Sequence, residues 1–237
     1  MTKKAHILLF APTPAEYAGV KAELEKKTFF NFSLELLESG PGKINAAAGA
    51  AEAVLRGRDD PTPLILAGVG TSGSLSLRLR GGDMVFSLDS VVSDWRLEDG
   101  DDVKIGPYGV FDYAPPSQER VELMAVKETA PELVELSQKL ERNGFFPGRI
   151  LTSDTFVCGK DYKLALGKVF GALVCDMESG AFAYLAQKKG LRFFNLRVVA
   201  DTLDENLADY FKKEGEVAGI LGFKTVEVLE IFDSLLK

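Results

Sequence analysis

The segment "VCDMESGAFAYLA" (174–186) ends a short apolar run on Asp176, Met177 and Glu178 and then opens into small and apolar residues spaced as on one helix face. Acids at the end of an apolar strand lose hydration, which costs free energy unless hydrogen bonds, an opposite charge or a bound group compensates. The same placement recurs along the chain. "HILLF" is followed by "APTPAEY" with Glu16, "PLILAGV" by "GTSGS" with Thr71, and "FFNLRVVA" by Asp201. In open α/β sheets ligands sit beyond the carboxyl ends of the strands, so these strand ends would bring carboxylates to one rim. Other chemistry is scarce. With a single histidine, His6, and two cysteines, Cys158 and Cys175, that share no metal-ligand spacing, neither a His-rich metal site nor a Ser-His-Asp triad of the usual kind can be assembled. Acid–base work falls to the carboxylates.

Each residue taken singly also has a structural reading. Asp176 or Ser179, just before a helix, can serve as an N-cap, and Glu16 at a helix start suits the macrodipole. The Gly-rich turn at 70–73 matches neither the Walker motif nor the dinucleotide fingerprint. His6 lies within a strand and reads as structural, and Phe156 in "TSDTFVCG" (152–159) reads as core.

The elements that must position these groups follow from the apolar pattern. Short β-branched runs predict buried strands at 6–10, 63–69, 83–88, 172–175 and 193–200. Helical patterns cover 45–55, 131–142, the stretch opening at Met177, and the carboxy-terminal "TVEVLEIFDSLL". Strands alternating with helices predict an α/β fold, a single domain over 1–237 whose mostly parallel sheet is covered on both faces. Residues 89–120 break the rhythm with Gly, Pro, acids and aromatics, and predict strands plus a long excursion near a site or a subunit interface. A net charge of −7 argues against nucleic acid as a partner. No apolar span reaches roughly twenty residues, and "MTKKAHILLF" lacks a signal-peptide pattern, so the expectation is a cytoplasmic protein with no membrane partner.

The sequence resembles the nucleoside phosphorylase and nucleosidase superfamily, and within it most the 5′-methylthioadenosine/S-adenosylhomocysteine nucleosidase branch. The likeness is carried in order by "LLFAPTPAEYAGV", "SGPGKINAAAGA", "AGVGTSGSLSLRLRGGDMV", "TSDTFVCG" and "VCDMESGAFAYLAQKKGLRFFNLRVVAD". It implies a three-layer α/β domain with a central twisted mixed sheet flanked by helices. It also implies roles: Phe156 stacks on the purine and the Val157 backbone reads the base edge; Met177 packs under the ribose, whose 2′- and 3′-hydroxyls bond Glu178. Asp201 is the general acid toward the purine N7, Glu16 holds and activates the attacking water, Thr71 faces the ribose or nucleophile, and Arg197 supports Glu178 or the nucleophile pocket. Phe211 is either a lid aromatic over an apolar 5′ group or helix core. The implied reaction needs no metal and no organic cofactor, and the implied assembly is a homodimer. Its partners would be a small purine nucleoside and water.

Within this superfamily, phosphorylases carry a Gly-Asp-Pro-x-Arg-like loop after the first strand and an Arg two residues before the Gly of the Gly-Thr turn. Here the first loop, "APTPAEY", has no cation and the second position is Gly68, so water is favoured over phosphate. The 5′-substituent stays open. "APTPAE" has a Pro-rich look closer to futalosine hydrolases, which share the fold and release hypoxanthine, and Thr13 stands where a Met often lines the ribose pocket. Purine or uridine nucleoside phosphorylase and a non-catalytic nucleoside-binding protein are the remaining alternatives.

Overall fold

A computed structural model describes residues 3–56, 61–94, 96–99, 102–105, 125–205 and 207–236. The chain begins β1 (Ala5–Ala11), α1 (Pro14–Leu24), β2 (Phe32–Glu38), α2 (Lys43–Arg56) and β3 (Leu64–Ser74). Short strands follow: β4 (Met84–Ser87), β5 (Asp89–Val92), the hairpin β6 (Arg96–Asp99) and β7 (Asp102–Ile105), and β8 (Val126–Lys127). The second half runs α3 (Pro131–Arg142), β9 (Phe146–Pro147), β10 (Arg149–Thr152), α4 (Lys160–Phe170), β11 (Ala172–Asp176), α5 (Ser179–Lys189), β12 (Arg192–Asp201) and α6 (Leu207–Leu235). The expected excursion over 89–120 is thus β5 and the β6–β7 hairpin as far as Ile105, and its remainder lies outside the described residues.

These strands build a ten-stranded mixed sheet in the order β8-β5-β10-β11-β3-β12-β4-β9, with β1 and β2 added beside β3. Strand β3 organises it. Its first half lies between β1 and β12, parallel to both, and its last residues leave β1 to pair antiparallel with β11 through Gly73 and Ser74. The sheet is covered on both faces, as strand alternation requires. Ile7, Leu9 and Ala11 of β1 pack with Phe194, Leu196, Val198 and Ala200 of β12 beneath α1, α3 and α6. Leu8 and Phe10 point the other way, with Phe193, into the Ala-rich face of α2 and into Phe182, Ala183 and Ala186 of α5. Helix α4 packs separately, through Leu166, Val169 and Phe170, on Leu75, Val91 and Leu151.

Two expectations need correction. The Gly-rich stretch after Val69 is not a turn, because β3 continues through Gly70, Thr71, Ser72, Gly73 and Ser74. Its glycines supply clearance: a Cβ on Gly68 would lie 2.5 Å from Asn195 Oδ1, and one on Gly73 2.8 Å from Asp201 Oδ2. The carboxy-terminal helix is also far longer than its apolar pattern suggests, 29 residues from Leu207. Gly215, Gly219 and Gly222 lower the local propensity and hide the helix in the sequence. One of them has a packing reason. At the crossing of α1 and α6, a Cβ on Gly222 would sit 2.2 Å from the Gly19 carbonyl oxygen and one on Gly19 2.4 Å from the Ala218 oxygen.

Gly222→Ala is therefore expected to destabilise the protein by about 1–3 kcal/mol through overpacking, whereas Gly219→Ala, whose Cβ meets nothing within 4 Å, should stabilise it by up to about 1 kcal/mol. Urea denaturation followed by circular dichroism measures both.

Candidate active site

Strand β1 delivers its chain to Thr13, which caps α1, and Glu16 occupies the third helical position in a capping box. Glu16 N–H donates to Thr13 Oγ1 (3.3 Å), and the Thr13 N–H and hydroxyl both donate to Glu16 Oε2 (3.0 and 2.9 Å). The helix-start reading of Glu16 holds, but its other oxygen is used elsewhere. Oε1 accepts the Thr71 N–H of β3 at 2.6 Å, so a carboxylate only 2% exposed bridges the start of α1 and the second half of β3. Gly70 admits it, since a Cβ there would lie 3.2 Å from Glu16 Oε1 and 3.2 Å from Arg197 Nη1.

The acids of the Asp-Met-Glu segment are set up differently from one another. Asp176 Oδ1 accepts the Thr152 hydroxyl (2.6 Å), while Oδ2 accepts Arg197 Nε (2.6 Å) and the Ser179 N–H (3.0 Å). Donors thus occupy both oxygens, and Asp176 anchors the start of α5 without being its N-cap. That position belongs to Glu178, whose side chain makes no capping bond. Instead Glu178 Oε1 accepts the Gly42 N–H (2.8 Å) from the turn before α2, and Oε2 lies 3.8 Å from Arg197 Nη2. Burial, then the neighbouring Asp176 charge, push the Glu178 carboxyl from 4.5 up to about 8, against the pull of Arg197 and Gly42.

Asp201 is the last residue of β12 and registers against Gly73 of β3. Burial raises its carboxyl above the usual range. The opposing influence is Lys163 of α4, whose Nζ donates to Asp201 Oδ2 at 2.6 Å and which is itself fully buried.

These strand ends enclose a cavity of about 270 Å³ lined by Glu16, Thr71, Phe156, Val157, Met177, Glu178, Asp201 and Phe211. Arg197, expected to support Glu178 or the nucleophile pocket, is not among the lining residues and lies 3.8 Å from Glu178 Oε2. It lies fully buried, braced on Asp176, because a desolvated guanidinium needs a carboxylate more than the cavity needs a cation. Phe211 resolves as cavity wall: it is 61% exposed and outside the helix core. Phe156, read alternatively as core, is half-buried and meets the Tyr210 ring edge-on at 6.2 Å.

Several lining residues escaped the sequence reading. Leu207, Tyr210 and Glu214 come from the first turns of α6, in the part of that helix its apolar pattern did not reveal. Thr71 Oγ1 and the Tyr210 hydroxyl lie 3.4 Å apart. Lys163 left a readable signal: it occupies the inward stripe shared with Leu166, Gly167 and Phe170, where a lysine is out of place.

A family model for the phosphorylase superfamily matches residues 17–226. The 5′-methylthioadenosine/S-adenosylhomocysteine nucleosidase of an Exiguobacterium species is 27% identical over 199 residues, which span 83% of this chain and 79% of that protein. Among solved structures, the 5′-methylthioadenosine/S-adenosylhomocysteine nucleosidase of Helicobacter pylori superposes with a TM-score of 0.75 at 19% identity, covering 97% of this chain and 100% of that one. The futalosine hydrolase of the same organism superposes with a TM-score of 0.73 at 20% identity, covering 96% and 98%. These structural likenesses establish the α/β fold with its mixed sheet and flanking helices.

The raised Glu178 carboxyl has a consequence for stability. The folded chain holds that proton more tightly than the unfolded chain between 4.5 and about 8, so the contribution is complete below 4.5 and is lost as pH rises through about 8. The urea midpoint of the ligand-free protein should fall across this window, and Glu178→Gln should flatten the fall.

Proposed function

This chain belongs to the phosphorylase superfamily, and we propose that within it the protein is a purine nucleosidase, hydrolysing the N-glycosidic bond of 5′-methylthioadenosine or S-adenosylhomocysteine. One observation carries the reading: Glu16, Glu178 and Asp201, from separate strand ends, line a single cavity whose described lining residues include no lysine or arginine.

Cleavage of the bond from ribose C1′ to purine N9 leaves an electron pair on the base and cationic character on the sugar. Asp201, kept protonated more readily by burial, gives its proton to N7 and neutralises the leaving base. A water on the opposite face attacks C1′ and passes a proton to Glu16, whose carboxylate is fixed in direction by Thr13 and Thr71. The products are the free base and the 5-substituted ribose, and the proton gained by Glu16 balances the one lost by Asp201. Glu178 accepts the ribose hydroxyls. Substrate hydroxyls donating to its oxygens favour the carboxylate that burial disfavours. Met177 packs on the sugar, and Phe156 stacks on the base with the Val157 backbone at its edge.

Water as nucleophile is supported by charge and by space. Phosphate would need cationic or multiple N–H donors, and an arginine at Gly68 has no room, since even a Cβ would lie 2.5 Å from Asn195 Oδ1 and 2.8 Å from the Phe182 ring. Pro12 and Thr13, where the first loop is Pro-rich, line the cavity and favour futalosine hydrolysis as the second reading. The reading extends to a cytoplasmic homodimer. Free thiols at Cys158 and Cys175 support a reducing compartment, and exposed Ile44 and Leu77 are apolar surface that a second copy could cover.

Asp201→Asn should lower turnover by roughly 10²–10⁴-fold while a non-hydrolysable nucleoside analogue still binds in calorimetry; unchanged turnover would remove Asp201 from the acid role. Incubation with methylthioadenosine, S-adenosylhomocysteine, futalosine, inosine and adenosine, with the freed base identified by chromatography, should show adenine from the first two. Added phosphate should not speed release. Formation of a ribose 1-phosphate would assign phosphorolysis instead.

A further inference from the structure

Lys163 is fully buried, on the face of α4 that also carries Leu166, Gly167 and Phe170. A desolvated ammonium is expensive and persists only where it is paired. Its Nζ donates to Asp201 Oδ2 at 2.6 Å and to the Thr202 carbonyl at 2.7 Å. The contact depends on two missing side chains. A Cβ on Gly167, one turn along α4, would lie 2.4 Å from the Leu75 carbonyl oxygen and push the helix away, and a Cβ on Gly73 would press Asp201 at 2.8 Å. Lys163 is absent from the lining of the cavity, so what it does to a substrate it does through Asp201.

We propose that Lys163 is the positioning residue of the acid: its ammonium pins one carboxyl oxygen of Asp201 and sets how readily the carboxyl parts with its proton. The proposal rests on the reading of Asp201 as general acid. Other charged and titratable groups near the pair are accounted for. Cys175 of β11 is pushed up to about 12 by burial and by Asp201 and stays neutral, and Asp176 is bound to Arg197. Glu205, on the turn after β12, accepts from Thr202 and from Lys213 of α6. Lys163 is the cation in direct contact with the acid. It favours the ionised carboxylate, whereas burial alone favours the protonated one. Base release needs the protonated form, so activity falls as pH rises through the titration of Asp201. Removing the ammonium moves that fall to higher pH.

The test follows kcat and KM for base release against pH in the full chain, comparing wild type, Lys163→Met, Asp201→Asn and the double variant, with thermal melts as the check on folding. Lys163→Met should shift the alkaline limb upward by about 1–3 pH units. At the wild-type optimum kcat should fall by roughly tenfold as the acid loses its orientation, with KM changed by less than about threefold because no substrate contact is lost. In single turnovers on the Asp201→Asn background, Lys163→Met should change nothing further. A uniform loss of rate with the limb unmoved, or a further loss on that background, overturns the proposal. If Lys163→Met does not fold, Lys163→Gln, which keeps a donor without the charge, gives the same readout. A wild-type protein that frees no base overturns the nucleosidase reading itself; a wild type that turns over while the limb stays fixed overturns only the role of Lys163.

Discussion

Arg197 leaves β12, passes over Gly70 of β3 and closes on Asp176 at the end of β11, so one buried ion pair spans three neighbouring strands. Neither partner is solvated, and each would be costly without the other. Asp176 takes Arg197 on the same oxygen that takes the first N–H of α5, while its other oxygen takes Thr152 of β10. The direction in which α5 departs, and therefore the place of Met177 and Glu178 between strand and helix, follows from this pair. Gly70 is the condition for it. The same gap that lets the guanidinium cross also lets Glu16 reach the Thr71 N–H.

Around that pair, chemically similar groups are differentiated by their donors. Asp176 has both oxygens bonded within the protein and is structural. Glu16 is held by Thr13 and Thr71, so its direction is fixed before any ligand arrives. Glu178 accepts one backbone N–H and stands at a distance from Arg197, and its carboxyl is pushed toward the neutral form. Asp201 has a buried ammonium against it. Four acids that a composition count treats alike thus stand in different environments, and burial pushes two of them, Glu178 and Asp201, toward the protonated form.

The far wall of the cavity has another origin. Leu207, Tyr210, Phe211 and Glu214 ride on the first turns of α6, and the position of those turns is set by the crossing with α1 at Gly19 and Gly222, well along the helix. Backbone contact at that crossing admits no side chain, so the helix has little freedom to slide. Aromatic edges from Phe156 to Tyr210 to Phe211 then connect the loop after β10 to the helix start, with centroids 6.2 and 5.4 Å apart.

What the sequence determined by itself was local and repetitive. Apolar runs marked most of the long strands because a strand buried on both faces is apolar throughout, and "PELVELSQKLER" marked α3 at its observed bounds because an amphipathic helix shows its period. Acids at the ends of those runs marked the rim of the cavity, since a carboxylate at the end of an apolar strand is rare without a purpose. Only the tertiary structure decided the rest. The stretch "GTSGS" looks like a turn until Glu16, Arg197 and Asp201, distant in sequence, claim the space its glycines leave. The sequence likeness assigns Arg197 to the support of Glu178 or the nucleophile pocket, and its bond to Asp176, twenty-one residues away, is visible only across the sheet. Lys163 is out of place on its apolar stripe, but its meaning depends on a carboxylate thirty-eight residues on. Periodicity records which face of an element is buried; it carries no record of which distant charge is waiting there, because such pairings are set by how elements pack and not by the pattern within any one of them.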